Sequence, residues 1–140
     1  MFRLPNFLRR EDRNNCGILA LESMAKYYGF STTYKEIKGL VFIDKLGINL
    51  LSLLNAAESI GFSAKGMKGS YDAIGSIPLP AIAHMATVGE PLNHFVVLHK
   101  WDNNAVVVSD RNKGVRRQSR VEFCSYWTGY LLVVKPKRNQ

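Results

Sequence analysis

NCGILALESMAKYYGF, residues 15–30, decides how this chain is read. Ile18, Leu21, Met24, Ala25 and Tyr28 recur at helical spacing, so an apolar-faced helix is predicted from Cys16 to Tyr28. Asn14 or Asn15 can cap its start, and Gly29 can close its end. Cys16 therefore falls at a helix N-terminus, where unpaired backbone N–H groups and the helix dipole favour a thiolate. The plainer reading is a buried core thiol that happens to start a helix.

Downstream, Thr33 and Glu36 have capping-box spacing and open a second helix to about Leu40. Gly47 marks a break. INLLSLLNAAESIGF gives a third helix, with Ile48 or Asn49 near its start and Gly61 as its stop. The period then changes. LPAIAHM (Leu79–Met85) and NHFVVLHKW (Asn93–Trp101) read as strands. Asp102–Asn104 is a turn, and AVVVSD (Ala105–Asp110) returns as the partner strand of a hairpin. NKG (Asn112–Gly114) is the next turn, VRRQS follows as a short exposed strand, Ser119 caps a helical stretch RVEFCSYW, and GYLLVVKP is a last strand. Helices first and an antiparallel sheet after make an α+β pattern.

The 140 residues suit one domain, with residues 1–9 and 137–140 as flanking segments. The hydrophobic share of 46% is that of a folded chain, and no apolar run approaches the ~20 residues of a membrane span. MFRLPNFLRRED lacks the apolar length and cleavage site of a secretory signal. Two distant cysteines, Cys16 and Cys124, are no disulfide framework and fit a reduced, cytoplasmic setting. The net charge of +8 is spread over Arg9, Arg10 and Arg13, then Arg111 to Arg120, then Lys135, Lys137 and Arg138. It favours an anionic partner, but no nucleic-acid reading motif accompanies it, and no nucleic acid is expected.

Three residues could share a chemistry. His94 begins one strand of the hairpin, and Asp110 ends the other, so the two lie near each other across the pair. With Cys16 they have the residue types of a nucleophile, a general base and an orienter. Each also has a bland reading: core thiol, structural histidine, Asx-turn aspartate. His84 and His99 are rivals for the base. His99 lies five residues after His94, so the two face opposite sides of the strand unless a bulge intervenes. Cys124, among Phe123, Tyr126 and Trp127, reads as core. Paired-ligand spacing for a metal is lacking, and there is no phosphate loop for ATP or other cofactor signature.

Six segments in order resemble the bacteriocin-processing double-glycine peptidases, the papain-like cysteine peptidase domains of peptidase-containing ABC transporters. They are NCGILALESMAKYYG, GINLLSLLNAAESIGF, LPAIAHM, NHFVVLHKW, SDRNKG and EFCSYWTGYLLVV, and they run from about Arg10 to Pro136. The resemblance implies a papain-like fold, with helices packed against a C-terminal antiparallel sheet. It implies Cys16 as nucleophile, His94 as general base and acid, and Asp110 as orienter. It further implies cleavage of a leader peptide after two glycines, and hence partners in that leader and in the membrane and ATPase parts of a transporter. Such a domain faces the cytoplasm. The chain departs from the family pattern at three places. Arg10 stands where the family has a glutamine that donates to the oxyanion, Asn15 where it has an aspartate, and Arg111 where it has a proline. Arg10 keeps a second reading open: a peptidase-like domain that binds leader or cargo peptides without cutting them.

Overall fold

The computed structural model describes residues 15–45, 47–86, 94–110 and 114–137. Helix α1 (Cys16–Tyr27) forms as its periodicity predicts and buries Ile18, Leu21, Met24 and Ala25. It ends in a Schellman arrangement: the Gly29 N–H donates to the Lys26 carbonyl and the Phe30 N–H to that of Ala25. Gly29 supplies the left-handed backbone this requires, at φ 84°. Its start corrects one expectation. Asn15 holds the N-cap position but its side chain makes no capping bond, and its Oδ1 is buried without a partner among the described residues.

Helix α2 (Tyr34–Lys38) is shorter than predicted, but its capping box is complete: the Glu36 N–H donates to Thr33 Oγ1, and the Thr33 N–H to Glu36 Oε1. A two-rung ladder joins β1 (Ile43–Asp44) and β2 (Gly47–Ile48) around the expected break. Helix α3 (Leu50–Ile60) follows, capped by Asn49 Oδ1, which accepts from the Ser52 N–H at 2.8 Å.

The sheet comprises β3 (Phe62–Lys68), β4 (Ala81–Met85), β5 (His94–Trp101), β6 (Ala105–Asp110), β7 (Gly114–Ser119) and β8 (Trp127–Pro136). Among the described residues its order is β3-β8-β4-β5-β6-β7, and all its pairs are antiparallel. Strand β3 is absent from the sequence reading. FSAKGMK carries no alternation strong enough to announce a strand, yet it pairs with β8 over seven positions, Phe62 with Pro136 through Lys68 with Tyr130. Lys137, assigned to a flanking segment, is tied down by its N–H to the Gly61 carbonyl. The other flanking residues lie outside the described ones.

The sheet is covered on both sides. Phe95 and Val97 of β5 join α1, α3 and Ile82 in one core. Val96 and Leu98 point the other way, into a second core with Val106, Val108, Tyr71, Ile74 and Phe123. This explains the unbroken runs FVVL and LLVV, since a strand buried on both faces cannot alternate polar and apolar. Full burial of such side chains stabilises by about 1.5–3 kcal/mol each before entropy is counted. Helix α4 (Arg120–Tyr126) is capped by Ser119 Oγ, which accepts the Glu122 N–H. It seats Phe123 on the second core. Cys124, expected in the core, is exposed instead. One step along a helix turns the side chain by about 100°, and Phe123 takes the inward position.

Candidate active site

The first turn of α1 stands over β5. Phe95 is 1% exposed and lies directly beneath Gly17, where an added Cβ would come within 3.2 Å of the Phe95 ring. Glycine after the cysteine therefore lets the helix end settle onto the strand. Cys16, 4% exposed, is held at that junction. Beside it opens a cavity of about 310 Å³, lined on the helix by Cys16, Leu19 and Ala20 and on the sheet by Phe95, Ser109 and Asp110. Its lining mixes apolar and polar groups, with Glu22 and Ser23 further along the helix.

Two of the sequence-selected residues thus share one cavity, Cys16 from the helix and Asp110 from the end of β6. His94 is the first residue of β5, one position before the Phe95 that lines the cavity, and is half-buried. The hairpin register relates it to Asp110. Val97 pairs with Ser109, so one further step puts Asp110 opposite Val96. His94 and Asp110 are then diagonal neighbours on the Val96 side of the sheet, within reach of long side chains, while Asp110, at the end of β6, also lines the cavity on the α1 side. The Asp110 side chain is 6% exposed, and Arg116 Nη2 stands 3.9 Å from its Oδ2. Arg10 lies outside the described residues.

The rival histidines are engaged elsewhere. His84 Nδ1 is 3.0 Å from Thr128 Oγ1, which donates in turn to the His84 carbonyl, and its ring packs 5.2 Å from that of Phe95. His99 is more informative. The β5–β6 register shifts between Leu98 and Lys100, so a bulge does intervene and its position is His99. His99 Nε2 thereby reaches Ser109 Oγ at 2.8 Å. Ser109 lines the cavity, so His99 stands one residue behind its wall. Burial pushes the His99 pKa down, which keeps the ring uncharged near neutral pH. Sequence reasoning missed this contact, because a bulge leaves no mark in an apolar run.

Comparison with known proteins bears on the family and the fold. The profile of the Peptidase C39 family matches residues 5–139. The Lactococcin-G-processing and transport ATP-binding protein LagD of Lactococcus lactis subsp. lactis is 29% identical over 136 residues, 96% of this chain. The chain spans only 19% of that relative's length. Among solved structures, the peptidase domain of Streptococcus ComA, a bi-functional ABC transporter, superposes with a TM-score of 0.81 at 28% identity, covering 90% of this chain and 94% of that one. A double glycine motif protease from an AMS/PCAT transporter, solved in complex with the leader peptide, gives 0.78 at 28% identity, over 87% and 84%.

Proposed function

The chain belongs to the peptidase C39 family, and from that premise we propose that it is the leader-processing cysteine peptidase part of a peptide exporter. It cuts a precursor after a double-glycine motif and leaves the leader behind. The reading rests above all on the cavity that Cys16 and Asp110 line together at the N-terminus of α1. It is supported by the similarity to LagD and to the leader-bound protease.

The roles follow from the chemistry. The Cys16 thiolate, its proton taken up by His94, attacks the carbonyl carbon of the second glycine, and an electron pair moves onto the carbonyl oxygen. That oxyanion is stabilised by the backbone N–H of Cys16 and by a side chain from the preceding segment. Collapse breaks the C–N bond, and the leaving amine takes its proton from His94. Water, losing a proton to His94, then attacks the thioester carbon; the C–S bond breaks, Cys16 is restored, and the leader leaves with a C-terminal carboxylate. Asp110 orients the imidazole throughout. Within an exporter the domain faces the cytoplasm, beside membrane and ATPase parts. No helix among the described residues is long and apolar enough to cross a membrane.

Arg10 carries the second reading. Loss of one oxyanion donor typically costs about 10²–10³ in rate, and a guanidinium on a longer stem replaces an amide here. A domain so slowed still binds leader or cargo peptides for export. The test is cleavage of a cognate double-glycine precursor by the purified protein, by Cys16→Ala and by Arg10→Gln. Cutting that Cys16→Ala abolishes supports the peptidase. An intact precursor that binds tightly, and is cut once Arg10→Gln is made, assigns the chain to peptide holding.

A further inference from the structure

We propose that Arg116 is a positioning residue for the peptidase, acting through Asp110. This rests on the reading of Cys16, His94 and Asp110 given above. Three consecutive strands place polar side chains in one row. In the β6–β7 ladder Asp110 pairs with Gly114 and Val108 with Arg116. Arg116 is therefore diagonal to Asp110 and on its face of the sheet. On the other flank the β5–β6 register makes His94 diagonal to Asp110 as well. The carboxylate of β6 stands between a histidine of β5 and an arginine of β7.

The details of the pair favour orientation over stability. The Asp110 side chain is 6% exposed, and burying a carboxylate is costly unless it is paired. Arg116 is 34% exposed and its Nη2 is 3.9 Å from Oδ2, long for a strong ion pair. Water screens such a pair, so its contribution to folding is small. Yet Arg116 Nε is buried with no partner of its own among the described residues. Burying that donor is unfavourable, and its ion pair among the described residues is with Asp110. With the guanidinium on the Oδ2 side, Oδ1 is the oxygen that accepts from the imidazole in the proposed role. The guanidinium thus selects the carboxylate rotamer that meets the imidazole.

The experiment compares steady-state cleavage of one double-glycine precursor by wild type, Arg116→Gln, Arg116→Met, Asp110→Asn and the double variant Asp110→Asn/Arg116→Gln. Misorientation of a catalytic group predicts that Arg116→Gln and Arg116→Met each lower kcat by roughly ten- to a hundredfold with KM unchanged. In the Asp110→Asn background the same substitution costs less than about twofold, because two residues acting as one unit are not additive. Melting temperature stays near that of wild type in all of them. A wild-type kcat in both Arg116 variants overturns the inference, as does a loss confined to KM or a full loss repeated in the Asp110→Asn background. If Asp110→Asn is impaired while the Arg116 variants are normal, only this inference falls. If Asp110→Asn itself is fully active, the reading of the site falls with it.

Discussion

The two ends of the β5–β6 hairpin carry similar residue types and put them to opposite uses. At the closed end Asp102 Oδ1 accepts the N–H groups of Asn104 and Ala105, at 2.7 and 2.9 Å. Tyr71 Oη donates to the Asp102 carbonyl, Trp101 Nε1 to the Tyr71 carbonyl, and the Arg120 N–H to that of Asn104. The Arg120 guanidinium covers the Tyr71 ring at 4.5 Å. Backbone groups use this carboxylate, and its work is to hold a turn. At the open end Asp110 lies beside a cavity and Cys16, with a guanidinium at its back. Two aspartates at strand ends look alike in sequence. What surrounds each carboxylate sets its role.

The largest effect that distinguishes the ends is expected from His94→Ala. Loss of a general base predicts a fall in cleavage of about 10²–10⁴, with little change in melting temperature. Alkylation of Cys16 near neutral pH slows in the same variant. Equal alkylation rates in the two proteins would break the assignment of chemistry to the open end. Gly75→Ala tests the closed end with the opposite signature. An added Cβ would sit 2.7 Å from a Trp101 ring carbon, and such overpacking costs about 1–3 kcal/mol. Thermal denaturation shifts down by several degrees while kcat of the folded protein holds. A large loss of kcat without loss of stability would mean that the two ends are coupled.

The smallest effect is expected from Asp102→Asn. The backbone N–H groups of Asn104 and Ala105 hold the Asp102 carboxyl below its usual pKa of 3.8. The folded chain therefore binds fewer protons here than the unfolded one. The stabilisation is present above that value and is lost as pH falls through the lower, folded value. Asparagine keeps the Oδ1 acceptor and does not titrate. Melting profiles of the variant should be flatter than wild type below about pH 4, with cleavage at neutral pH unchanged. Identical acid limbs would remove Asp102 from the account of the turn.

Much of the architecture was legible locally. The Thr33 and Asn49 caps, the Ser119 cap, the Gly29 stop and the Asp102–Asn104 turn each depend on contacts within a few residues. The errors share a different cause. Strand β3 exists because β8 lies beside it, Cys124 is exposed because Phe123 wins the inward position, and His99 turns to Ser109 because a bulge resets the strand. None of these is decided by neighbours in sequence. Cys16, His94 and Asp110 were nameable as residue types at suggestive positions, and the resemblance of six segments sharpened them.

Apart from β3, the order of the main helices and strands, the hairpin and the placing of a cysteine at a helix start were thus determined by the sequence alone, because hydrogen bonding and periodicity act over short range. Only the tertiary structure decided that α1 comes down on Phe95 through Gly17, that Cys16 and Asp110 line one cavity, and that Arg116 backs the carboxylate. These depend on strand register and on a close helix–sheet approach. Both are set by packing between segments up to about a hundred residues apart, a distance over which local propensity carries no information.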